Sequence, residues 1–254
     1  MRTKIIIITG KAQSGKDTAA NHIRNILKIN GRSSSIYPFA EELKQICHNM
    51  FGLSHIQCWG ENKDKNTTVD FKWSDLPLNS NDLAKLMLNS SLKKTSDQLT
   101  AREVMQIWGT EIFRKFDPNC WVRSTINKIK KDSLDFAIIS DARFPNEIDF
   151  AKEYDPIIIR LTRDVLEDKH QSEISLDDYN FDTLKDSYII NNTMISLDQK
   201  NEKIEKIIME YHMADSQPEL IEELKKNLME QNYKINVSNP IQGMGILYAI
   251  KNSV

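Results

Sequence analysis

The sequence has few glycines, few cysteines and no excess of charge of one sign. Its 8 glycines in 254 residues lie well below the usual share of about 7%, so a glycine cluster indicates a local backbone requirement. Its 3 cysteines are too few for a disulfide framework, and an odd number leaves one without a partner, which indicates a reducing compartment. With 34 Lys and Arg against 36 Asp and Glu, the net charge of -2 disfavours a DNA-coating protein but leaves room for a local basic groove.

The sequence also lacks a long apolar run near its start. The strongest run there is Ile5 to Ile8, which Gly10 and Lys11 end, and it is far too short for a secretion signal or a membrane span. Hydrophobic residues make up 40% of the chain, which is enough for a large core. We therefore expect a soluble, globular, cytoplasmic protein that has neither a membrane nor a nucleic-acid polymer as partner.

Short apolar runs predict the strands of a parallel sheet. They lie at 4–8, 35–39, 136–140, 156–161 and 187–190. Continuous β-branched runs are typical of strands buried on both faces. Helical spacing of apolar residues is found between and after them, at 18–29, 40–50, from Thr100 onward, at 120–131 and at 197–211. The sequence therefore predicts an α/β fold with a five-stranded parallel sheet sandwiched by helices.

The same pass along the chain predicts a main domain at 1–212 and an appendage at 213–254. Within the main domain, 51–97 is polar and weakly patterned, which indicates an insertion or a mobile segment with a helix candidate at 83–92. The appendage combines an amphipathic pattern at 220–228 with apolar stretches around Ile235 and at 245–250. We expect a helix-strand unit there.

A phosphate-binding loop is predicted between the first strand and the first helix. The segment 10–18 reads Gly-Lys-Ala-Gln-Ser-Gly-Lys-Asp-Thr and fits the pattern G-x-x-x-x-G-K. Backbone N–H groups of such a loop, with the positive end of the following helix, surround a β-phosphate, and the lysine reaches the β- and γ-oxygens. The residues expected to bind the nucleotide phosphates are Gly10, Gln13, Ser14, Gly15, Lys16, Asp17 and Thr18.

The residue after Lys16 departs from the commonest form of this loop. Asp17 stands where Ser or Thr is usual, and Thr18 follows it. A carboxylate beside bound phosphates is tolerable where it faces Mg²⁺ through water or meets a cation on a second substrate. The predicted metal contact is therefore shared between Asp17 and Thr18.

Further polar groups are expected at the carboxyl edge of the sheet, where ligands bind in open α/β folds. Asp141 and Arg143 end the third strand and suit a sugar hydroxyl, a phosphate or Mg²⁺ waters, although Asp141 as a helix cap is the alternative. A second polar set follows Thr100, with Gln106 suited to a base and either Arg102 or Arg114 suited to a phosphate. Arg160 and Arg163 leave the fourth strand, either for a closing lid or for ion pairs.

Several other features favour a structural role over a chemical one. His170-x-Ser-Glu173 invites a catalytic interpretation, but phosphoryl transfer from ATP requires no histidine base. Cys47-His48 with His55-x-x-Cys58 has the residue types of a zinc site, although the spacing disfavours one. Trp108 and Trp121 are expected in the core, with Trp121 the better candidate for stacking on a base.

Ordered motifs over residues 4–212 resemble those of the deoxynucleoside monophosphate kinases of large tailed bacteriophages. They are Gly10-x-x-x-x-Gly15-Lys-Asp-Thr18, Phe39-Ala-x-x-Leu-Lys44, Arg102-Glu-Val-Met-Gln-Ile-Trp-Gly-Thr110, Asn119-Cys-Trp-Val122 and Asp141-Ala-Arg-Phe-Pro-Asn-Glu147. The glycine loop is common to many kinases, whereas Met-Gln-x-x-Gly-Thr combined with Asp-x-Arg and the later Glu is more specific.

The resemblance implies a P-loop nucleoside monophosphate kinase fold, ATP with Mg²⁺ as the donor and a deoxynucleoside monophosphate (dNMP) as the acceptor. It implies that residues 14–18 hold the donor phosphates. It also implies an acceptor site made of Lys11, Asp17, Arg102, Gln106, Gly109, Thr110, Trp121, Asp141, Arg143 and Glu147. A phage-encoded enzyme of this kind works in the host cytoplasm.

The expected reaction is transfer of the γ-phosphoryl group of ATP to a dNMP, with Lys16, Arg143 and Arg163 as the catalytic cations. The acceptor oxygen is already anionic, so no general base is needed. Water must be excluded, and 51–97 and 162–175 are the lid candidates. The alternatives are a phosphomevalonate or dephospho-coenzyme A kinase, and a nucleotide-gated binding module that uses 215–254. A monomer and a homodimer both fit the sequence.

Overall fold

The computed structural model describes residues 3–75, 98–163 and 174–216, and the backbone of two later strands at Tyr233–Val237 and Leu247–Lys251. The chain forms two compact units, Met1–Met194 and Ile195–Val254. The sequence-based division at 212 stays a prediction. The helices that the sequence suggests at 83–92 and 220–228 lie outside the described residues, as do His170-x-Ser-Glu173 and most of 162–175.

The first unit is built on a sheet of five parallel strands, as predicted. Its strands in chain order, with an antiparallel pair formed by β3 and β4 between them, are β1 (Lys4–Gly10), β2 (Ser34–Ile36), β3 (Thr68–Lys72), β4 (Gln98–Thr100), β5 (Phe136–Ala142), β6 (Ile157–Leu161) and β7 (Ser187–Ile190). The five-stranded sheet has the order β2-β5-β1-β6-β7. The central strands β1, β5 and β6 are isoleucine-rich and almost wholly buried, which is why the run of β-branched residues predicts them correctly.

Helices flank and follow the strands. In chain order they are α1 (Lys16–Ile29), α2 (Glu41–Phe51), α3 (His55–Trp59), α4 (Asn62–Lys65), α5 (Ala101–Gln106), α6 (Arg114–Phe116), α7 (Cys120–Asp132), α8 (Pro145–Ala151) and α9 (Leu197–Ser216). A π-helical turn, Ile107–Phe113, joins α5 to α6, so the predicted helix after Thr100 is confirmed but is not regular. Thr100 caps it, with Glu103 completing the capping box.

The outer strand β2 is attached to β5 by side chains as well as by its ladder. Before both strands, the backbone N–H and the hydroxyl of Ser33 each donate to the carboxylate of Asp135 at 2.8 Å. The backbone N–H of Asp135 donates back to the Ser33 hydroxyl at 2.9 Å. A strand of three residues is therefore held in register from outside its own ladder.

The segment 51–75 is more ordered than the sequence suggests. It contains α3, α4 and β3, and β3 pairs with β4. Trp73 and the cysteines Cys47 and Cys58 lie in a second apolar cluster with Leu99 and Val104. The last two strands, Tyr233–Val237 and Leu247–Lys251, pair antiparallel in the second unit. In the part of the chain that the structure describes, no helix is both long and apolar enough to cross a bilayer.

Candidate functional site

The loop between β1 and α1 needs its glycines. Gly10 has φ 148° and Gly15 has φ 91°, and Gln13 between them also has a positive φ of 60°. A Cβ atom on Gly10 would lie 2.5 Å from the carbonyl oxygen of Leu161 and 2.7 Å from the Oγ of Ser14. The loop is thus folded back tightly on itself and on the end of β6, at the carboxyl edge of the sheet.

Lys16 opens α1 with its side chain turned over this loop. Its Nζ donates to the carbonyl oxygens of Gly10 and Lys11, each at 2.7 Å, and the residue is only 8% exposed. The hydroxyl of Ser14 is fully buried and has no hydrogen-bond partner within the described residues. A cation, an unpaired hydroxyl and the N–H groups of a helix start therefore meet in one small space, which suits the oxygens of a phosphate.

Asn192, which the sequence analysis missed, contacts this loop from just beyond β7, the outermost strand on one side of the sheet. It lies just beyond β7 and is 8% exposed. Its Nδ2 donates to the carbonyl oxygen of Ser14 at 2.9 Å. The only sequence signal for it is its position after the fifth strand, at the same edge as the loop.

Asp17 and Thr18, the predicted metal contacts, are exposed in the first turn of α1. Both offer oxygen atoms beside the loop, which is the ligand type that Mg²⁺ prefers. Among the residues that the structure describes, no group of three His, Cys, Asp or Glu side chains is placed to hold a metal by itself. A magnesium ion at this point would therefore depend on the phosphates and on water for most of its ligands.

Asp141 anchors backbone at the end of β5. Its Oδ1 accepts the backbone N–H of Phe39 at 2.7 Å, and its Oδ2 accepts that of Ala40 at 3.0 Å. These are the residues that lead into α2, so the carboxylate sets where α2 begins. Asp141 does not cap the helix that follows it in sequence, because α8 begins at Pro145 and has Phe144 at its N-cap position.

Glu147 is a buried link. It is 2% exposed, and its Oε1 accepts a 2.5 Å hydrogen bond from Nη2 of Arg114. Its Oε2 accepts the backbone N–H groups of Arg143 at 2.7 Å and Phe144 at 3.1 Å. Burial raises the pKa of Glu147, and the Arg114 guanidinium opposes that rise. Since Arg114 also lies 4.2 Å from the Phe144 ring centroid, the pair holds the chain around Arg143 in place.

Three cations from different parts of the unit lie close enough to Lys65 to interact with it electrostatically, and Lys65 also interacts with Asp17 in the first turn of α1. Burial lowers the pKa of Lys65, and the positive charges of Lys44, Arg102 and Arg143 lower it further, while Asp17 opposes them. Arg102 is held by α4 and the residue after it, because its Nε and Nη2 donate to the Oδ1 atoms of Asn66 and Asn62, both at 2.9 Å. This group, Lys44, Lys65, Arg102 and Arg143, is called the cation cluster below.

Two members of the cation cluster carried no assigned role in the sequence analysis. Lys44 stands in a quoted motif, and Lys65 lies in the segment 51–97, which matches no motif. The helix of Lys65, α4, is four residues long and polar, so no hydrophobic periodicity predicts it. No sequence pattern predicts the cation cluster either, because its members are distant in sequence.

The π-helical turn explains Gly109, and beside it Trp121 has the core position that the sequence favours. A Cβ atom on Gly109 would lie 2.5 Å from Cδ2 of Leu43, so the glycine lets α2 pack closely on this turn. Trp121 is 6% exposed, donates its Nε1–H to the Gly109 carbonyl oxygen at 2.9 Å and packs against Phe113. Its ring is therefore a core group, as its apolar surroundings require, and the acceptor-site role that the resemblance implies for it stays a prediction. Gln106 and Thr110 are half-buried.

The remaining predicted cations lie near β6. Arg160 is engaged in the fold, since it donates to the Leu176 carbonyl oxygen and lies 4.6 Å from the Phe181 ring centroid. Asp177 pairs with Lys11 at 3.2 Å and with Arg160 at 3.5 Å. Arg163 is exposed two residues beyond β6. Its expected role in a lid stays a prediction.

The four residues considered for zinc serve the fold. Burial raises the pKa of the Cys47 thiol to about 12 and also raises that of Cys58, so neither is disposed to form a thiolate. The Nδ1 of His48 lies 2.6 Å from the Leu53 carbonyl oxygen. The ring of His55 stacks on Trp59 with the centroids 4.7 Å apart.

Comparison with known proteins gives the family. A profile of the deoxynucleotide monophosphate kinase family matches residues 66–204, more than half of the chain. The chain belongs to this family. The match begins after the loop at 10–16, so the family match and the geometry of that loop are independent observations. The bacteriophage source suggested by the motifs stays a prediction.

Two individual similarities accompany the family match. A protein of Acanthamoeba polyphaga mimivirus, provisionally named a deoxynucleotide monophosphate kinase, is 28% identical over 189 residues, which are 68% of this chain and 81% of that protein. A solved structure from Borrelia burgdorferi B31, provisionally named a plasmid partition protein and bound to AMPPNP, shares 14% identity. That comparison covers 84% of this chain and 99% of the other, but its TM-score of 0.31 is too low to assign fold or function.

Proposed function

We propose that the protein transfers the γ-phosphoryl group of ATP to a deoxynucleoside monophosphate and releases ADP and the deoxynucleoside diphosphate. The observation that carries this proposal is that Lys65, which interacts electrostatically with Lys44, Arg102 and Arg143, also interacts with Asp17, the residue after the loop lysine. A phosphate loop beside a second group of cations is what a reaction between two phosphorylated nucleotides requires.

The donor phosphates would lie in the loop, against Gly10, Gln13, Ser14, Gly15 and Lys16. Lys16 is held by two carbonyl oxygens, and a phosphate oxygen would be a stronger partner for its ammonium group because that bond joins two opposite charges. Asp17 and Thr18 would hold the magnesium ion, which, when bound, neutralises charge on the transferring group. Alignment and charge neutralisation then supply the catalysis.

The acceptor phosphate would lie in the cation cluster. Burial first and the neighbouring cations second lower the pKa of Lys65, and a phosphate dianion there would offset the repulsion between the cations. Lys11, Gln106 and Thr110 remain proposed acceptor contacts. The acceptor side of the site would be positioned by Asp141, Gly109 and Glu147. Arg143 and Arg163 remain the proposed catalytic arginines.

The first test is an ADP-release assay with Mg·ATP against each dNMP, each ribonucleoside monophosphate, phosphomevalonate and dephospho-coenzyme A. We expect turnover with at least one dNMP, and the same plate then gives the range of bases accepted. Turnover with phosphomevalonate or dephospho-coenzyme A alone would identify a different small-substrate kinase. ATP binding without transfer to any of them would indicate a nucleotide-gated module.

Replacement of Lys16 tests the donor site. Lys16→Ala should lower kcat by about two orders of magnitude or more, because it removes a cation from the developing charge. Lys28→Ala is the matched control, since Lys28 is exposed in the last turn of the same helix. Equal melting temperatures for the two variants would show that the fold is intact. Near-normal turnover by Lys16→Ala would contradict the mechanism.

A further inference from the structure

The amide of Asn192 lies against the phosphate loop, and nothing above assigns it a role in the reaction. Its Nδ2 donates to the Ser14 carbonyl oxygen at 2.9 Å across 178 positions of sequence. The opposite orientation of the amide would place Oδ1 against that carbonyl oxygen, where two acceptors would repel. The donor assignment therefore follows from the partner.

This contact fixes the direction of a particular N–H group. The Ser14 carbonyl and the Gly15 N–H belong to the same planar, trans peptide unit, so they point in opposite directions. With the carbonyl directed at Asn192, the Gly15 N–H is directed away from it. Gly15 has φ 91° and no Cβ atom. Without the contact to Asn192, the peptide unit before it would therefore be free to adopt other orientations.

The hydrogen bond is kept although it leaves another polar atom unsatisfied. Asn192 is 8% exposed, and its Oδ1 has no hydrogen-bond partner within the described residues. An apolar side chain of similar shape would remove the unpaired Oδ1, but it would also leave the Ser14 carbonyl oxygen without its donor. Packing therefore does not account for an asparagine here.

We propose that Asn192 is a positioning residue for the donor phosphates: its side-chain amide holds the Ser14–Gly15 peptide so that the Gly15 N–H faces the phosphate site. The inference rests on the proposed function for the identity of the donor. It requires no contact between Asn192 and the substrates. The loss caused by removing the amide should thus fall on phosphate binding and leave the acceptor site unchanged.

The test compares Asn192→Leu and Asn192→Asp with the neighbouring exposed residue as control, Asn191→Ala. The measurements are the affinities for Mg·ADP and for inorganic tripolyphosphate by titration calorimetry, the KM for the best dNMP, and the urea midpoint. We expect Asn192→Leu to bind ADP and tripolyphosphate about tenfold more weakly, the factor for one lost hydrogen bond, with the dNMP KM retained. The urea midpoint should fall slightly, because the Ser14 carbonyl oxygen loses its donor. Asn192→Asp should bind them more weakly still, because it adds a negative charge near the phosphates.

Three results would overturn the inference. The first is wild-type affinity for ADP in Asn192→Leu. The second is a loss seen with ADP but not with tripolyphosphate, which would indicate a contact with the base. The third is a fall in the urea midpoint with equal losses at both substrate sites, which would indicate a purely structural role. A wild-type protein that binds ADP but phosphorylates no dNMP would reject the proposed function and leave this binding test intact.

Discussion

Glu147 joins two chain segments through one buried carboxylate. Glu147→Ala should lower the free energy of unfolding by about 3 kcal/mol, because it leaves the Arg114 guanidinium and two backbone N–H groups without their acceptor. Arg114 is 16% exposed, so water limits the loss. Urea denaturation of this variant beside Glu153→Ala, an exposed residue of the turn after α8, gives the comparison. Equal stability in the two variants would refute the linking role.

The residues that the sequence could identify are those whose chemistry is local. The sequence predicts the loop 10–16 because its glycines, its lysine, the strand before it and the helix after it are contiguous. The sequence does not predict the contact of Asn192, since its partner lies 178 positions away and no spacing rule covers that distance. Trp121 is an intermediate case. Its core position is predicted and confirmed, but its hydrogen bond to the Gly109 carbonyl oxygen, 12 positions away, could not be read from the sequence.

At the scale of elements, the close packing of α2 on the π-helical turn depends on Gly109. Gly109→Ala should destabilise the protein by about 1 kcal/mol or less, because Cδ2 of Leu43 must shift away from the added Cβ while the higher helix propensity of alanine offsets part of that cost. The double variant with Leu43→Ala should lose less than the sum of the two single losses, because the clash disappears with Leu43. A double-mutant cycle in urea measures that coupling. Strict additivity would mean that the two residues do not compete for space.

The elements that were predicted correctly share one physical property. β1, β5 and β6 are buried on both faces, so their isoleucine runs are unbroken. β3 alternates half-buried Val69 and Phe71 with exposed polar residues, but this alternation runs for only five positions within a polar segment, so the sequence analysis missed it. Its partner β4 is three residues long. Pairing with a partner distant in sequence, and not local pattern, defines this hairpin-like pair.

At the scale of the whole molecule, charge is balanced in total but not in space. A chain with a net charge of -2 brings together Lys44, Lys65, Arg102 and Arg143. The KM for the dNMP should therefore rise with KCl, as the screening length falls from about 10 Å at 0.1 M to about 3 Å at 1 M. Lys65→Gln should raise this KM at low salt and flatten its salt dependence, whereas Lys63→Gln, exposed on the same short helix, should do neither. A dNMP KM independent of salt would contradict the assignment of the cluster.

The attachment of β2 to β5 has a consequence for where the enzyme can bend. Ser33 meets Asp135 just before β5, and Asp141 near its end holds the two residues that lead into α2. Hydrogen bonds at both ends of β5 thus hold the outer strand β2 and the start of α2 to the sheet. We therefore expect any closure around two nucleotides to bend the chain after α2, so that Lys44 stays with the sheet while Lys65 and Arg102 move toward it.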